Sequence, residues 1–303
     1  MPHTQTRGAR VICLGMATLD QIFRVDTIPL APAKFRASEF IVTGGGQAAN
    51  AAVTVQRMGG EAQYWGRVGD DDVGDQIIRS LAKEHVDVSH VYRLIGARSK
   101  TAAILVDARG ERLVCSAPAQ GYPPDTTWLP LDEVATVRAV LADSRWKPGA
   151  LALFEAAAMH NKPSVFDADA GTNEEVLAVS AIATHPFFSE PMLAQTGLGP
   201  PDAALPKIFK PEHNKVCGVT LGERGVLWFD GLRMHHTPAL PVKSIDTLAA
   251  GDTWHGALAL ALAEGAADSD AITFATRVAA IKCSRFGGRN GIPTRAEFEA
   301  FTI

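Results

Sequence analysis

Asp252 closes a run of small residues, Asp246-Thr-Leu-Ala-Ala-Gly-Asp252, and is followed by TWHGALALALAEG. The Ala/Leu-rich composition predicts a long helix over 247–264. Amides at a helix start lack intrahelical partners and sit at the positive end of the dipole. They therefore favour an anion, and small side chains let a phosphate reach them. A carboxylate beside that phosphate can take a proton from an attacking hydroxyl. Phosphoryl transfer needs this combination of a positioned base and a hole for negative charge. Asp is also a common helix cap, so the segment alone fits capping and catalysis equally.

Other groups invite chemistry less firmly. Asp167 and Asp169 end a predicted strand, at the edge where α/β proteins bind ligands; contact with Mg²⁺ or substrate and a structural role both fit. His213, His235 and His236 share no ligand spacing with Cys or carboxylates and read as loop residues. Asp70-Asp71-Asp72 lacks the calcium-loop pattern and reads as a turn and helix start. GGGQAA can be aligned with the dinucleotide fingerprint, with Glu61 as a ribose partner. That fingerprint follows the first strand of its domain, whereas here the first strand is VICLG, far upstream.

These residues need a scaffold. Val11–Leu14 reads as a buried strand, and short β-rich pieces occur near 22–25 and 40–42. Gly44-Gly45-Gly46 are expected to break the strand before a helix over Ala48–Met58, closed by Gly59-Gly60. AQYWGRVG reads as a strand and Asp75–Glu84 as an amphipathic helix. Residues 100–115 read as a hairpin turning at Asp107-Ala108-Arg109-Gly110. After residue 130 helices alternate with strands, including Ser164–Asp167 and Val216–Leu221, which predicts a parallel sheet with helices on both faces. The β-rich pieces near 20–42 and 100–115 interrupt that rhythm and predict a small separate sheet. GLGPP (197–201) reads as a surface loop, and residues 1–9 as a frayed tail.

The 303 residues suffice for a large core, and 47% hydrophobic with 20% charged residues is ordinary globular composition. A net charge of −4 gives no electrostatic reason for a nucleic-acid or anionic-membrane partner. Four scattered cysteines without a C-x-x-C pair argue against disulfides and zinc and fit a reducing cytoplasm. VICLGMA is too short for a signal-peptide core or a membrane span.

Taken together, the motifs resemble the PfkB/ribokinase family of carbohydrate kinases along nearly the whole chain. DTLAAGDTWHG is similar to that family's D-T-x-G-A-G-D-x-F-x-G. Gly15 and Asp20, GGGQAAN (44–50), GRVGDDDVG (66–74), TLGERGV (220–226) and FGGRNGIP (286–293) follow in the family's order. The resemblance implies a Rossmann-type α/β/α sandwich over 10–303, with a β-sheet lid formed by insertions at about 20–43 and 97–116. It implies transfer of the γ-phosphate of ATP, with Mg²⁺, to a sugar hydroxyl. In this reading Asp252 is the base and Ala249, Ala250 and Gly251 form the anion hole. Asp20, Gly45, Gly46 and Asn50 bind the sugar. Thr220, Gly222 and Gly225 line the nucleotide, and Gly287 and Gly288 lie near the adenine. A monovalent cation such as K⁺ is expected near Asp246 and the 284–290 loop, and a homodimer through the lid edges.

Two departures bear on the site. Ala249 replaces a glycine, which is tolerable only where φ need not be positive. SEPM (189–192) replaces N-x-x-E, leaving Glu190 to act on the metal through water.

A finer likeness, in GGG-x-A-A, VLADSRW, FSEP and AAIKCSRFGGRNGIP, is to the sulfofructose kinase subgroup, which phosphorylates 6-deoxy-6-sulfofructose at O1. It implies Lys34 and Arg145 as cations on the sulfonate, although Ser116 and Asn50 depart from that subgroup. Lys34 also fits a solvated surface residue, and Arg145 a partner of Asp143 or of a helix terminus. Ribose, fructose and 2-keto-3-deoxygluconate stay open as substrates. So do a nucleoside kinase of the same fold and a non-catalytic sugar or nucleotide sensor.

Overall fold

In the computed structural model, which describes residues 8–32 and 34–302, strand β1 (Arg10–Gly15) sends Val11 and Cys13 to one side and Ile12 and Leu14 to the other. Both sets are fully buried, because helices cover both faces of the sheet. The sheet contains β4 (Glu61–Gly69), β5 (Val91–Leu94), β8 (Ala139–Asp143), β9 (Ser164–Ala168), β10 (His185–Ser189), β11 (Cys217–Thr220), β12 (Val226–Phe229) and β13 (Met234–Thr237). Its order is β13-β12-β11-β10-β9-β8-β1-β4-β5; the pairs are parallel except β11–β12 and β12–β13.

One face packs against α1 (Gln47–Arg57), α2 (Asp72–Lys83), α7 (Ala250–Ala263) and α8 (Asp268–Cys283). The other packs against α3 (Lys147–Met159), α4 (Asn173–Ser180), α5 (Glu190–Gln195) and α6 (Pro201–Ile208). The short helix α9 (Arg295–Ala300) ends the fold with a Thr294/Glu297 capping box. Alanines dominate the α1–α7 contact: Gly256 passes so close to Ala51 that a Cβ there would stand 2.5 Å from its carbonyl oxygen.

A second sheet of four strands has the order β3-β2-β6-β7, with β2 (Thr18–Arg24), β3 (Glu39–Gly45), β6 (Thr101–Val106) and β7 (Arg112–Ala117). Its inner face (Ile22, Ala102, Ile104, Val106) packs on Leu248 and Phe286. Its hairpin tip rests on the segment before α7: a Cβ on Gly110 (φ 81°) would stand 2.9 Å from the Ile245 carbonyl oxygen, and Arg112 Nη1 donates to Thr247 Oγ1 at 2.5 Å.

Several boundaries differ from those expected. β3 runs through Gly44 and Gly45, and only Gly46 (φ 94°) ends it. A glycine whose φ is negative does not stop a strand, which the composition cannot reveal. The helix expected from Asp75 starts at Asp72, capped by Asp71, whose side chain accepts from Gly74 N. The loop at 197–201 ends in Pro201 as the first residue of α6, where proline's missing N–H costs nothing. Of the expected tail, residues 1–7 lie outside the described residues. Ala9 is held to the start of β4, its carbonyl accepting from Glu61 N at 3.0 Å.

Candidate active site

The site forms where the C-terminal ends of β1, β8 and β9 meet the N-termini of α1 and α7. Asp143, the last residue of β8, organises it. Its buried carboxylate accepts backbone N–H bonds from Met16 (2.7 Å), Ala48 (3.1 Å) and Arg145 (2.9 Å), which fixes the β1–β2 turn, the start of α1 and the Arg145 backbone together. Gly15 is needed beneath it, because a Cβ there would collide with this carboxylate.

Asp252 is the third residue of α7. The first intrahelical bond runs from Thr253 N to Ala249 O (3.0 Å), so the Gly251 and Asp252 amides lie ahead of it. Ala250 N donates to Thr247 O (3.2 Å), which removes one of the three expected anion-hole residues from the set with free amides. Ala249 adopts φ 65°, ψ 14°. The expectation that alanine could stand here only without a positive φ is thus overturned: the turn into α7 imposes the left-handed region regardless. A Cβ added at Gly251 would meet nothing within 4 Å, so the space over the helix start is open.

Asp252 Oδ2 accepts from Asn50 Nδ2 at 2.7 Å. Asn50 Oδ1 accepts from Arg289 Nε at 2.8 Å, and Arg289 also donates to Gly45 O (3.0 Å) and Ser80 Oγ (3.2 Å). Arg289 is fully buried, and burial brings its guanidinium down to about 10. Gly44 and Gly45 make room for this arrangement: a Cβ on Gly44 would strike Arg289, and one on Gly45 would strike the Asp20 carboxylate. Asp20 is buried on β2 and accepts from Thr18 Oγ1 at 2.6 Å. Burial raises its pKa, against that hydrogen bond and the charges of Arg289 and Lys100.

Burial also pushes Asp252 up to about 6; the Asn50 hydrogen bond opposes this, and the carboxylates of Asp169, Asp143 and Asp20 add to it. Asp167 lies well above the usual carboxylate range through burial and then the charges of Asp252, Asp169 and Asp143. His255, one turn into α7, donates Nδ1–H to Gly251 O (2.8 Å) in the tautomer that carbonyl requires, leaving Nε2 buried and unpartnered. Burial holds its pKa down to about 4, so it is neutral.

On the nucleotide side expected from the sequence, Thr220 ends β11, and Gly222 (φ 60°) and Gly225 (φ 85°) form the turn into β12. A Cβ on Gly225 would collide with the Thr237 carbonyl oxygen. Gly287 and Gly288 donate their amides to Asp246 Oδ2, both at 2.9 Å. Lys282, also fully buried, donates from Nζ to Asp246 O (2.8 Å) and lies 3.4 Å from its Oδ2. The place expected for a monovalent cation thus holds an ammonium of the chain itself, that of Lys282.

The structure brings Asp20, Gly45, Gly46, Asn50, Asp252 and the 249–251 turn together. It leaves Lys34 exposed on the loop between β2 and β3, and Arg145 places Nε on Gln47 Oε1 at 3.0 Å. Glu190, expected to act on a metal through water, faces Arg224 at the surface: both its oxygens accept from Arg224 Nη2 at 2.6 Å. Ser189, standing where the family motif has Asn, caps α5 by accepting from Met192 N. Among the described residues no three His, Cys, Asp or Glu side chains converge as a metal site. The sequence reading gave no site role to Gln47, Lys282 or Arg289, and considered Asp143 only as a partner of Arg145. The arginine's place between two glycine motifs was the only available signal.

The profile of the pfkB family carbohydrate kinases matches residues 9–295. Ribokinase of Bacillus subtilis is 26% identical over 294 residues, covering 96% of this chain and 98% of its own. An Agrobacterium tumefaciens protein provisionally called a ribokinase has a crystal structure that superposes with a TM-score of 0.92, at 38% identity and 96% coverage of both chains. The structure of Arabidopsis thaliana ribokinase complexed with ribose and ATP shares the fold, with a TM-score of 0.82 at 21% identity, covering 98% of this chain and all of that one. The match of motifs, fold and family profile over almost the whole length establishes that this chain belongs to the PfkB family of carbohydrate kinases, phosphotransferases with an alcohol group as acceptor.

Proposed function

We propose that this sugar kinase transfers the γ-phosphate of ATP to a primary hydroxyl of a small sugar, with Asp252 as the general base. The observation that carries the reading is Asp252 itself, set on free helix-start amides, fixed by Asn50 and pushed up to about 6. In the reaction the substrate O–H gives its proton to the Asp252 carboxylate. The oxygen bonds to the γ-phosphorus, the bond to the β-phosphate oxygen breaks, and ADP leaves. The Gly251 and Asp252 amides face the charge that develops on the transferring group. Asp20 accepts from sugar hydroxyls, and Mg²⁺ accompanies the nucleotide. The small sheet acts as a lid over the sugar. ATP use is supported by the family and by the ATP complex of the Arabidopsis enzyme.

The substrate we favour is a ketose with an anionic tail, such as 6-deoxy-6-sulfofructose phosphorylated at O1. Ribose, fructose and 2-keto-3-deoxygluconate are the alternatives a substrate panel separates. The outer face of the small sheet exposes Phe40, Val42 and Leu113 on its two edge strands, which supports a homodimer through the lid. No described helix is long and apolar enough to cross a membrane, and the cysteine usage supports a cytoplasmic enzyme. ADP release measured on that sugar panel tests the function: turnover on at least one sugar, lost by several orders of magnitude in Asp252→Asn, is the expected result. An Asp252→Asn enzyme with full activity overturns the mechanism.

A further inference from the structure

Beside the sugar-binding residues lies a cavity of about 190 Å³ whose lining includes Met16, Arg67, Lys100, Tyr122, Arg145 and Trp146. Three of these side chains are cations and none is a carboxylate. Lys100 Nζ, half-buried on the small-sheet side, has Met16 Sδ at 3.1 Å as its hydrogen-bond partner. Arg67 lies 3.9 Å from the Trp146 ring centroid and donates Nη1–H to Pro123 O at 2.5 Å. Arg145 spends Nε on Gln47. None of the three forms an ion pair among the described residues, although the chain pairs other arginines freely. The Trp146 indole N–H is buried without a partner.

Arg67 and Lys100 are half-buried cations without counterions, which costs free energy, and the charge of the exposed Arg145 acts on Lys100 as well. Burial and then the Arg145 charge hold the Lys100 pKa below its usual value, while Asp143 and Asp20 offset only part of this. Asp143 cannot act as the missing counterion at close range, because its oxygens are taken by three backbone amides. A ligand anion with several acceptor oxygens would satisfy all three cations at once.

The position of the cavity defines the rest of the ligand. Gln47 bonds Arg145 with Oε1 and approaches Asp169 Oδ2 with Nε2 (3.4 Å), and Asp169 belongs to the carboxylate group around Asp252. Asp20, on β2, is in reach of the charges of both Lys100 and Arg289. Gln47 and Asp20 thus link the cation-lined cavity to the residues around the base.

We propose that Arg67, Lys100 and Arg145 form the specificity site of this kinase, binding a terminal strong anion (sulfonate, phosphate or carboxylate) of a sugar whose opposite terminal hydroxyl meets Asp252. The assignment rests on the kinase reading above and moves anion recognition from Lys34, exposed on its loop, to Lys100.

The test has two arms. In the first, calorimetric binding of fructose, fructose 6-phosphate, 6-deoxy-6-sulfofructose and 2-keto-3-deoxygluconate is measured on wild type and on Lys100→Met, Arg145→Gln and the charge-keeping Arg145→Lys and Lys100→Arg. At least one anionic probe should bind about 100-fold more tightly than fructose. Lys100→Met and Arg145→Gln should each remove tenfold or more of that preference, and the charge-keeping variants should restore part of it. Lys34→Ala should leave the preference in place. In the second arm, ADP release is followed on the same panel. Turnover on fructose with no preference for any anionic probe overturns the specificity site and leaves the kinase reading standing. Selective binding of an anionic probe, lost in Lys100→Met but without ADP release, upholds the site and counts against the kinase reading. Equal binding of all probes to wild type and Lys100→Met overturns the site whatever the turnover.

Discussion

Asn50 Nδ2 lies 2.7 Å from Asp252 Oδ2, while its Oδ1 lies 2.8 Å from Arg289 Nε. One amide thereby orients the base and fastens it to a buried guanidinium. Asn50 was expected among the sugar ligands, yet each end of its amide already has a protein partner.

Removing that amide should change the titration of the base. The Asn50 bond favours the ionised form of Asp252, so Asn50→Ala should raise its pKa further above about 6. The acid limb of the kcat/KM profile, which rises as Asp252 loses its proton, should move to higher pH. A profile that only falls in height, with an unmoved limb, would assign Asn50 to sugar binding alone.

Asp252 should also cost the fold stability. Its folded pKa is raised to about 6 from an ordinary 3.8, so its contribution is fully present below 3.8 and is lost as pH rises through 6. At roughly 1.4 kcal/mol per pH unit, the penalty above that range is about 3 kcal/mol. Asp252→Asn should be inactive and, at pH 8, more stable to urea by about 1–3 kcal/mol, the lower figure allowing for a weaker bond to Asn50. The difference should vanish near pH 4.

Two small substitutions should separate the anion cradle from the fold. Ala249→Gly relieves a left-handed alanine and should stabilise by up to about 1 kcal/mol with activity retained. Gly251→Ala puts a methyl into open space over the helix start. It should leave urea stability unchanged or slightly higher, yet reduce kcat by about tenfold or more by crowding the transferring phosphate.

Lys282 should make the enzyme indifferent to monovalent cations. Replacing KCl by tetramethylammonium chloride at constant ionic strength should change ADP release by less than about twofold. Lys282→Met leaves Asp246 buried without its cation and should destabilise by about 3–5 kcal/mol. Strong activation of the wild type by K⁺ would show that the ammonium does not replace the ion.

Much of this was legible in the sequence because it depends on local pattern. The apolar run after Asp252 announced α7, and the turn residues 107–110 announced the β6–β7 hairpin. What escaped depends on contacts distant in sequence. Asp143 reaches Met16 across 127 positions, and Arg289 reaches Asn50 across 239; neither partner carries a local signature. Lys100 entered the sequence reading only as the first residue of the 100–115 hairpin, and the fold sets it beside Arg145 and Arg67. Ala249 could be flagged as a departure, but its backbone angle is imposed by the turn from Thr247 and could not be read from residue type.

The hairpin tip of the small sheet leans on the turn that leads into α7, through Gly110 against Ile245 and Arg112 on Thr247. A movement of the small sheet away from this turn would break these contacts, and Thr247 is also the acceptor for the Ala250 amide at the start of α7. The small sheet and the turn into α7 therefore share a contact point. The two substrates of this kinase should sense each other's presence, each binding more tightly to the enzyme that the other has already closed.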